Sequence, residues 1–440
     1  MKILVVHNYY QCRGGEDQCF EDEIAQLESH GHEVVKYTQH NDSIKNRNHF
    51  SVALTTLWSR KSYREVLELI RKHRPDVMHC TNTFPLISPS VYYAAAKESV
   101  PVVQALHNFR MMCPGTYLLR DGKVCEECIG KVFATPAVRH RCYRGSLPGS
   151  FTVASLLSLH RLMRSWKDKV HAFYTLTEFS KGKLAGLGVE PDRIVVKPNC
   201  VNPAPPVPNF QQEDYVVFAG RLSPEKGIDV LLDAWNNHNP PCKLVIIGEG
   251  PLEDMVVAAQ KKNPLIEWVG LKSLEEVLNL MGSARCLVMP SVYYETFGRT
   301  IIEAYSVGTP VVVSRFGAMQ ELVRDGVTGK LFERGDAADL ISKLNEVISD
   351  PESHASMKRA ARIEFENNFT ADHNFQKLLD IYQLAISNAQ TGDFGKVSVE
   401  TEPELVKLSG PEPAHSIPSP HMGKNPAGEQ EPTQEEVGSP

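Results

Sequence analysis

The fold of this chain is decided by one stretch, PSVYYETFGRTIIEAYSVGTPVVV at residues 290–313. It follows an apolar run typical of a buried strand, turns through Gly298, and continues as a helical pattern that ends near Gly308. A new β-branched run begins at Pro310. A strand, a turn, a helix and a second strand in this order predict two parallel strands joined by a crossover helix.

The same alternation of short β-branched runs and amphipathic stretches, such as Ser62–His73, extends over almost the whole chain. Six candidate strands occupy the first half: Ile3–Val6, Glu33–Tyr37, Val77–His79, Val102–Leu106, Ala172–Leu176 and Ile194–Val196. A second series follows them: Tyr215–Ala219, Lys243–Ile247, Ile266–Val269, Cys286–Met289, Pro310–Val313 and Lys330–Phe332. This pattern predicts an α/β fold with parallel sheets covered by helices.

A proline-rich segment, Asn199–Phe210, separates the two series, and its four prolines exclude a central strand or a helix interior. We therefore predict α/β domains over residues 1–199 and 213–370, joined by a linker at residues 200–212. Two such domains place a cleft between the carboxyl ends of their strands, where open α/β sheets bind ligands. A last helical pattern covers residues 371–389. Residues 390–440 hold eight prolines, many acids and one aromatic residue, and are predicted to be disordered.

The charge of the body argues against a general nucleic-acid binder. Nine of the 53 acidic residues and three of the 47 basic ones lie from Gln390 onward, so residues 1–389 carry 44 of each. A nucleic-acid binder usually shows a clear basic excess. The chain shows neither a signal peptide after Met1 nor an apolar run long enough to span a membrane, which predicts a cytoplasmic protein.

Glu295 lies in the turn before the helix predicted within residues 290–313, and Glu303 lies inside that helix. A helix that starts there directs free backbone N–H groups and its positive dipole end into the cleft, which suits a diphosphate. The two carboxylates can then address opposite ends of one ligand, Glu295 a sugar and Glu303 the hydroxyls of a ribose. The alternative is that both are ordinary solvated carboxylates.

Three further loops that follow strands carry candidate ligand-binding groups. Arg221 and Lys226 flank a proline bend and can clamp a diphosphate, because arginine binds phosphate oxygens bidentately and lysine acts as a point charge. Gly14 and Gly15 allow the backbone to approach a ligand closely. His107 follows the fourth strand. Alternatively, Arg221 and Lys226 are solvated surface cations, Gly14 and Gly15 form an ordinary turn, and His107 is a structural histidine.

Together, the segment containing Glu295 and Glu303, the GRLSPEKG segment at residues 220–227 and the Gly-Gly loop resemble the family 4 retaining glycosyltransferases of the GT-B fold, over roughly residues 1–387. The resemblance implies two Rossmann-like domains that face each other across a cleft, the first on the acceptor side and the second binding the nucleotide-sugar. It implies that the last helix crosses back to the first domain. The implied reaction transfers a sugar from a UDP- or GDP-sugar to a hydroxyl of a glycan or lipid-linked acceptor, as in polysaccharide biosynthesis.

The resemblance also assigns roles to residues. The implied catalytic set is His107, Arg221, Lys226 and Glu295. The implied donor-binding set is Gly14, Gly15, Arg221, Lys226, Gly248, Val269, Glu295, Thr296, Phe297, Gly298 and Glu303. No metal is expected in catalysis, because the two cations and the helix N-terminus supply the positive field. Retention is expected to follow a same-face attack in which the leaving phosphate oxygen takes the acceptor proton.

Two other functions remain open at this level, because a fold does not settle a reaction. One is an enzyme of similar architecture, a nucleotide-sugar epimerase or a phosphorylase that requires pyridoxal phosphate. The other is a zinc-dependent scaffold protein with a vestigial transferase body.

Four cysteines stand outside these motifs in the expected insertion at about residues 110–145: Cys113, Cys125, Cys128 and Cys142. They include one C-x2-C pair, which suits a structural zinc site, with His140 able to replace one ligand. The alternative is a set of free or redox-active thiols.

A further pattern covers Ser155–Val170, where leucines alternate with arginines and lysines. The favoured interpretation is a helix packed on the core with a solvated basic face. The alternative is a basic amphipathic helix that lies on the inner membrane surface and presents the enzyme to a lipid-linked acceptor.

Overall fold

The computed structural model describes residues 1–12, 14–205 and 210–392. Within them the chain forms two parallel six-stranded sheets and one small two-stranded sheet. The strands are β1 Lys2–Tyr9, β2 Glu33–His40, β3 Val77–Asn82, β4 Val102–Leu106, β5 Leu119–Arg120, β6 Lys123–Val124, β7 Ala172–Thr175, β8 Ile194–Val196, β9 Tyr215–Ala219, β10 Lys243–Ile247, β11 Ile266–Trp268, β12 Cys286–Met289, β13 Val311–Ser314 and β14 Gly329–Phe332. All twelve predicted strands are present, which confirms the α/β class.

Sixteen helices connect and cover these strands in the described part of the chain. They are α1 Gly15–Ser29, α2 His49–Leu57, α3 Arg60–His73, α4 Ser90–Lys97, α5 Thr135–Arg139, α6 Leu147–Leu162, α7 Ser165–Lys169, α8 Glu178–Leu184, α9 Ile228–Asn237, α10 Glu253–Lys262, α11 Leu274–Ser283, α12 Arg299–Ser306, α13 Met319–Leu322, α14 Ala337–Ile348, α15 Pro351–Asn368 and α16 Ala371–Thr391. None of them is both long and apolar enough to cross a membrane.

The two large sheets are both six-stranded and parallel, but their strand orders differ, because the strand that comes first in sequence lies second in the first sheet and third in the second sheet. The first has the strand order β2-β1-β3-β4-β7-β8, and the second has the order β11-β10-β9-β12-β13-β14. Their central strands are buried on both faces, as β3 and β13 are along their whole lengths. Strands covered on both faces by helices must be almost continuously apolar, which explains the Val- and Ile-rich runs of the sequence. Both sheets are Rossmann-like α/β units, as predicted.

Helix α16 lies on the first sheet although it follows the second sheet in sequence. Five of its residues are buried in the cluster that contains Ile3 and Val5 of β1: Phe375, Leu378, Ile381, Tyr382 and Ala385. The Tyr382 hydroxyl also lies 2.9 Å from Nδ1 of His79 on β3. Apolar burial and one buried polar contact therefore attach the end of the described chain to its beginning.

The sequence-based prediction differs from the structure over Ser155–Val170. The expected single helix is interrupted, because α6 ends at Leu162 and Arg164 has the left-handed φ of 52° before α7 begins. Leu156 and Trp166 are buried, whereas Leu162 is 72% exposed. The segment is therefore partly core-packed, as favoured, but its apolar residues do not form one continuous face. The predicted disordered tail at residues 390–440 lies outside the described residues from residue 393 onward, as do residues 206–209 of the predicted linker.

Candidate active site

Loops at the carboxyl ends of both sheets contact each other. Thr296, after β12, donates from its Oγ1 to the main-chain oxygen of His107, after β4, at 2.8 Å. The main-chain oxygen of Thr296 accepts from the hydroxyls of Thr177 and Ser180, which follow β7, each at 3.1 Å. The carboxylate of Glu321 accepts from the N–H groups of α8. Two residues predicted to bind ligand, His107 on the first sheet and Thr296 on the second, are thus in contact.

Lys226 and Glu295 form an ion pair in this region. The Nζ atom of Lys226 lies 2.6 Å from Oε1 of Glu295, whose side chain is only 8% exposed. Glu295 also accepts from the hydroxyls of Ser291, at 2.8 Å, and Tyr293, at 2.5 Å. Burial raises the pKa of Tyr293, so this phenol remains a donor to the carboxylate. Three donors therefore hold Glu295 in a fixed orientation.

The loop that carries Arg221 and Lys226 packs tightly against the segment that carries Glu295. The N–H of Val292 donates to the main-chain oxygen of Glu225 at 3.0 Å. Gly227 has φ of 71°, and a Cβ atom placed there would lie 2.0 Å from the main-chain oxygen of Pro290. Only glycine fits this contact, so Gly227 fixes the position of Lys226 beside Glu295.

Substitution Gly227→Ala is therefore expected to lower the free energy of unfolding by at least about 2 kcal/mol, because it adds a backbone clash to the left-handed strain of about 1–2 kcal/mol. Urea denaturation measures the loss. The matched control is Gly326→Ala, which has φ of 76° and nothing within 4 Å of the added Cβ. Equal losses in the two variants would show that the contact with Pro290 does not matter.

Helix α12 begins directly after Gly298, and no side chain caps its N-terminus. The N–H of Ile301 donates to the main-chain oxygen of Gly298 at 2.8 Å, which leaves the N–H groups of Arg299 and Thr300 for a ligand. Glu303, one turn into the helix, is 7% exposed, and burial raises its pKa. Its Oε1 accepts from Nε of Arg299 at 3.0 Å.

Arg299 also contacts the first domain, because its Nη2 lies 3.0 Å from Oδ2 of Asp22 on α1. Neither Arg299 nor Asp22 was predicted from the sequence. The spacing of four residues between Arg299 and Glu303 was visible as a helical ion pair, but Asp22 is 277 residues away in sequence and only the fold brings it close.

The glycine loops after β9 and β10 lie against each other. A Cβ atom at Gly248 would lie 2.0 Å from the main-chain oxygen of Gly220, and φ at Gly248 is 128°. The indole N–H of Trp268, next to Val269, donates to the main-chain oxygen of Gly248 at 2.8 Å. Arg221 is exposed, and its guanidinium makes no hydrogen bond within the described part of the chain. These loops present backbone and one free cation beside Lys226.

Gly14 and Gly15 begin α1 and need no unusual backbone conformation. Gly14 has φ of −126°, and a Cβ atom at either position would meet nothing within 4 Å. The loop therefore has open space beside both glycines, and its backbone is not strained. The neighbouring carboxylate of Glu16 accepts from the Tyr10 hydroxyl at 2.7 Å and from Nδ2 of Asn108 at 3.3 Å.

His107 is held as a neutral imidazole. Burial lowers its pKa to about 3, and its Nε2 has no hydrogen-bond partner among the described residues. Its ring stands edge-on to Tyr174, with 5.7 Å between ring centroids. A neutral ring with one unused nitrogen can accept or donate one hydrogen bond to a ligand, but it is a poor source of charge.

The structure does not support the zinc site expected at Cys113, Cys125, Cys128 and Cys142. All ten cysteines are free thiols, and no group of three or more His, Cys, Asp or Glu side chains among the described residues is placed to hold a metal ion. Burial raises the pKa of the Cys113, Cys128 and Cys142 thiols. The alternative of free thiols describes this segment.

Comparison with known protein families gives two matches. The family described as "Glycosyl transferases group 1" matches residues 204–364, and the one described as "Glycosyl transferase 4-like domain" matches residues 14–200. The first match contains the Lys226–Glu295 pair, and the second contains His107. Both halves of the region described above therefore fall inside matched segments.

Similar proteins agree with these matches. A D-inositol 3-phosphate glycosyltransferase of a Mycobacterium species is 30% identical over 53% of this chain and 50% of its own. An uncharacterized glycosyltransferase of Methanocaldococcus jannaschii is 32% identical over 40% of this chain and 50% of its own. The chain thus spans about half the length of these relatives. The solved structure of Anabaena HepE in complex with UDP has a TM-score of 0.61 at 18% identity and covers 87% of this chain and 100% of its own, which shows the fold.

Proposed function

Because the chain belongs to the glycosyltransferases of the GT-B fold, we propose that it transfers a sugar from a UDP- or GDP-sugar to a hydroxyl of a glycan or lipid-linked acceptor, with retention of configuration. The observation that carries the proposal is the Lys226–Glu295 ion pair of 2.6 Å beside the uncapped N-terminus of α12. One cation, one acid and free N–H groups are the elements that a diphosphate and its attached sugar require.

In the proposed mechanism, Lys226 and Arg221 bind the diphosphate together with the first N–H groups of α12. Lys226 has three donors, so it can keep Glu295 while it contacts a phosphate oxygen. This positive field stabilises the charge that develops on the leaving diphosphate without a metal ion. Glu295 accepts from sugar hydroxyls, and the second oxygen of Glu303 accepts from the ribose.

On the acceptor side, His107 contacts the sugar as a neutral ring. For retention we propose a same-face attack, in which the acceptor oxygen bonds to the anomeric carbon while the bond to the phosphate oxygen breaks. That phosphate oxygen takes the acceptor proton. Exclusion of water from the cleft limits hydrolysis of the donor.

The other roles expected from the sequence stay predictions. Gly14 and Gly15 leave open space for donor phosphates, and Gly248, Val269, Thr296 and Phe297 are proposed to line the donor. A cytoplasmic location and peripheral attachment to the inner membrane surface are further predictions. An epimerase would act on the donor without any acceptor, so acceptor dependence separates that alternative.

The proposed donor site predicts stabilisation by the right nucleotide-sugar. We expect one member of a panel of UDP-, GDP- and ADP-sugars, at about 100 times its Kd, to add roughly 2.7 kcal/mol to the free energy of unfolding. Thermal denaturation in the presence of each compound measures this effect. The stabilisation should disappear in Glu303→Gln and Lys226→Met. If no nucleotide-sugar stabilises the protein, the proposed function is wrong.

A further inference from the structure

A second polar pocket lies on the first-domain side of His107. It has a cavity volume of about 70 Å³, and its polar lining includes Glu16, Thr81, Ser88, His107, Asn108 and Arg110. A single water needs about 10–15 Å³ of such space, so the pocket has room for a group of several heavy atoms. It lies where α1 and the loops after β3 and β4 meet.

Arg110 is the only cation lining this pocket among the described residues. Its Nε and Nη1 atoms are buried and have no hydrogen-bond partner in the described chain. Its guanidinium lies 4.0 Å from the ring centroid of Phe84 and 6.0 Å from that of Tyr143. The contact with the Phe84 ring orients the guanidinium but satisfies none of its N–H groups.

Arg110 is half-buried, and its buried Nε and Nη1 groups cost stability unless something accepts hydrogen bonds from them. The acid in the pocket, Glu16, forms no ion pair with Arg110 within 4.0 Å, and it already accepts from Tyr10 and Asn108. Nε2 of His107 and Oγ1 of Thr81 are also unpartnered in the described chain. The pocket therefore combines unused donors for an anion with hydroxyl-binding groups.

We propose that this pocket binds the acceptor, and that Arg110 recognises an oxyanion, a phosphate or a carboxylate, carried by an acceptor sugar. This inference rests on the proposed function. The donor diphosphate is assigned to Arg221 and Lys226, which leaves Arg110 for a second anion. His107 lines the pocket and its main-chain oxygen accepts from Thr296 at 2.8 Å, so the pocket borders the proposed donor site.

The segment with the free cysteines builds one wall of this arrangement. Tyr143, next to Cys142, stands edge-on to Phe84 with 5.8 Å between ring centroids, and its N–H donates to Oγ of Ser150 at 2.9 Å. Tyr117 of the same segment stands edge-on to Tyr293, a donor to Glu295, with 5.4 Å between centroids. The cysteine segment thus contacts both the acceptor pocket and the donor site.

The test compares anionic and neutral sugars by calorimetric titration. Glucose 1-phosphate and glucuronate probe the two oxyanions, glucose is the neutral reference, and farnesyl phosphate in detergent represents a lipid-linked source. Titrations are made with a saturating concentration of the nucleoside diphosphate whose sugar stabilises the protein in the panel, and again in the Lys226→Met background, so that binding at the donor site is distinguished from binding at Arg110. The variants are Arg110→Met, Arg110→Lys and the matched exposed control Arg139→Met.

We expect at least one anionic probe to bind, with glucose at least about 10-fold weaker, and Arg110→Met to weaken the anion by about 10-fold or more. Arg110→Lys should fall between wild type and Arg110→Met, and Arg139→Met should change nothing. Arg110→Met should also unfold at an unchanged or higher temperature, because it removes two buried N–H groups that have no acceptor in the described chain, whereas a structural role would lower that temperature.

Any of three results overturns the inference. The first is that glucose binds as tightly as every anionic probe, and the second is that Arg139→Met loses as much affinity for the anion as Arg110→Met does. The third is that anion binding is lost in Lys226→Met but kept in Arg110→Met. The identity of the probe that binds separates a soluble acceptor from a lipid-linked one. Failure of every nucleotide-sugar of the panel to bind wild type contradicts the proposed function, but titrations in the Lys226→Met background still report on Arg110.

Discussion

Substitution Lys226→Met is expected to lower the rate of sugar transfer by about 10²–10³-fold, which is the usual cost of removing one preorganised donor from a developing negative charge. The variant also leaves Glu295, whose side chain is 8% exposed, without its cation. Release of the nucleoside diphosphate from the donor identified in the panel measures the rate.

The matched control is Lys272→Met, because Lys272 pairs with Glu276 on the surface of α11, where an ion pair contributes about 0–1 kcal/mol. Its transfer rate should equal that of wild type. Glu295→Gln should also lose activity, since the amide still accepts hydrogen bonds but carries no charge to pair with Lys226. If Lys226→Met keeps the wild-type rate, Lys226 does not stabilise the leaving group.

The largest effect on stability is expected from Lys197→Met. Lys197 and Glu23 are buried, with side chains 2% and 7% exposed and 2.6 Å between Nζ and Oε1. Removing the cation leaves a buried carboxylate whose remaining close donor is the Tyr174 hydroxyl, at 3.0 Å. We expect a loss of about 3–5 kcal/mol in the free energy of unfolding, measured by urea denaturation at neutral pH.

The double variant Glu23→Gln with Lys197→Met tests the same pair, because removing both charges should recover most of the lost free energy of unfolding.

The pair also predicts that stability depends on pH. Burial opposes ionisation of Glu23, but Lys197 more than compensates and lowers the pKa of Glu23 to about 2, from an ordinary value of 4.5. A lowered carboxyl pKa stabilises the fold above about pH 4.5, and that stability is lost as the pH falls towards 2. A double variant with the same acid sensitivity as wild type would contradict this assignment.

The sheets were predictable because their strands are buried on both faces. The run at Val311–Val313 is typical of a strand covered on both faces. It follows Pro310 directly and comes shortly after helix α12. By contrast, the break between α6 and α7 depends on the left-handed backbone conformation of Arg164. Arginine does not favour that conformation, so the sequence does not indicate the break. Local sequence patterns therefore predict buried strands well, but they do not predict a helix break that depends on the conformation of one residue.

Lys226 and Glu295 could be named as candidates from the sequence because each lies in a loop close to a glycine turn, and their roles stay predictions. The candidate site was not predictable where contacts join distant segments, as for Arg299 with Asp22. The cysteine segment was misread for a related reason: a C-x2-C pair suggests a metal in sequence, but no group of three or more metal-binding side chains forms among the described residues. Its contacts with Tyr293 and Phe84 became visible only in three dimensions.

The position of α16 has a practical consequence for dissecting this protein. A gene fragment that stops at the linker would leave the β1 side of the first sheet uncovered, since Leu378, Ile381 and Tyr382 supply its outer layer. Such a fragment would expose an apolar surface to solvent and is expected to aggregate on expression. A soluble first half would need α16 spliced back on, as a circularly permuted or fused segment.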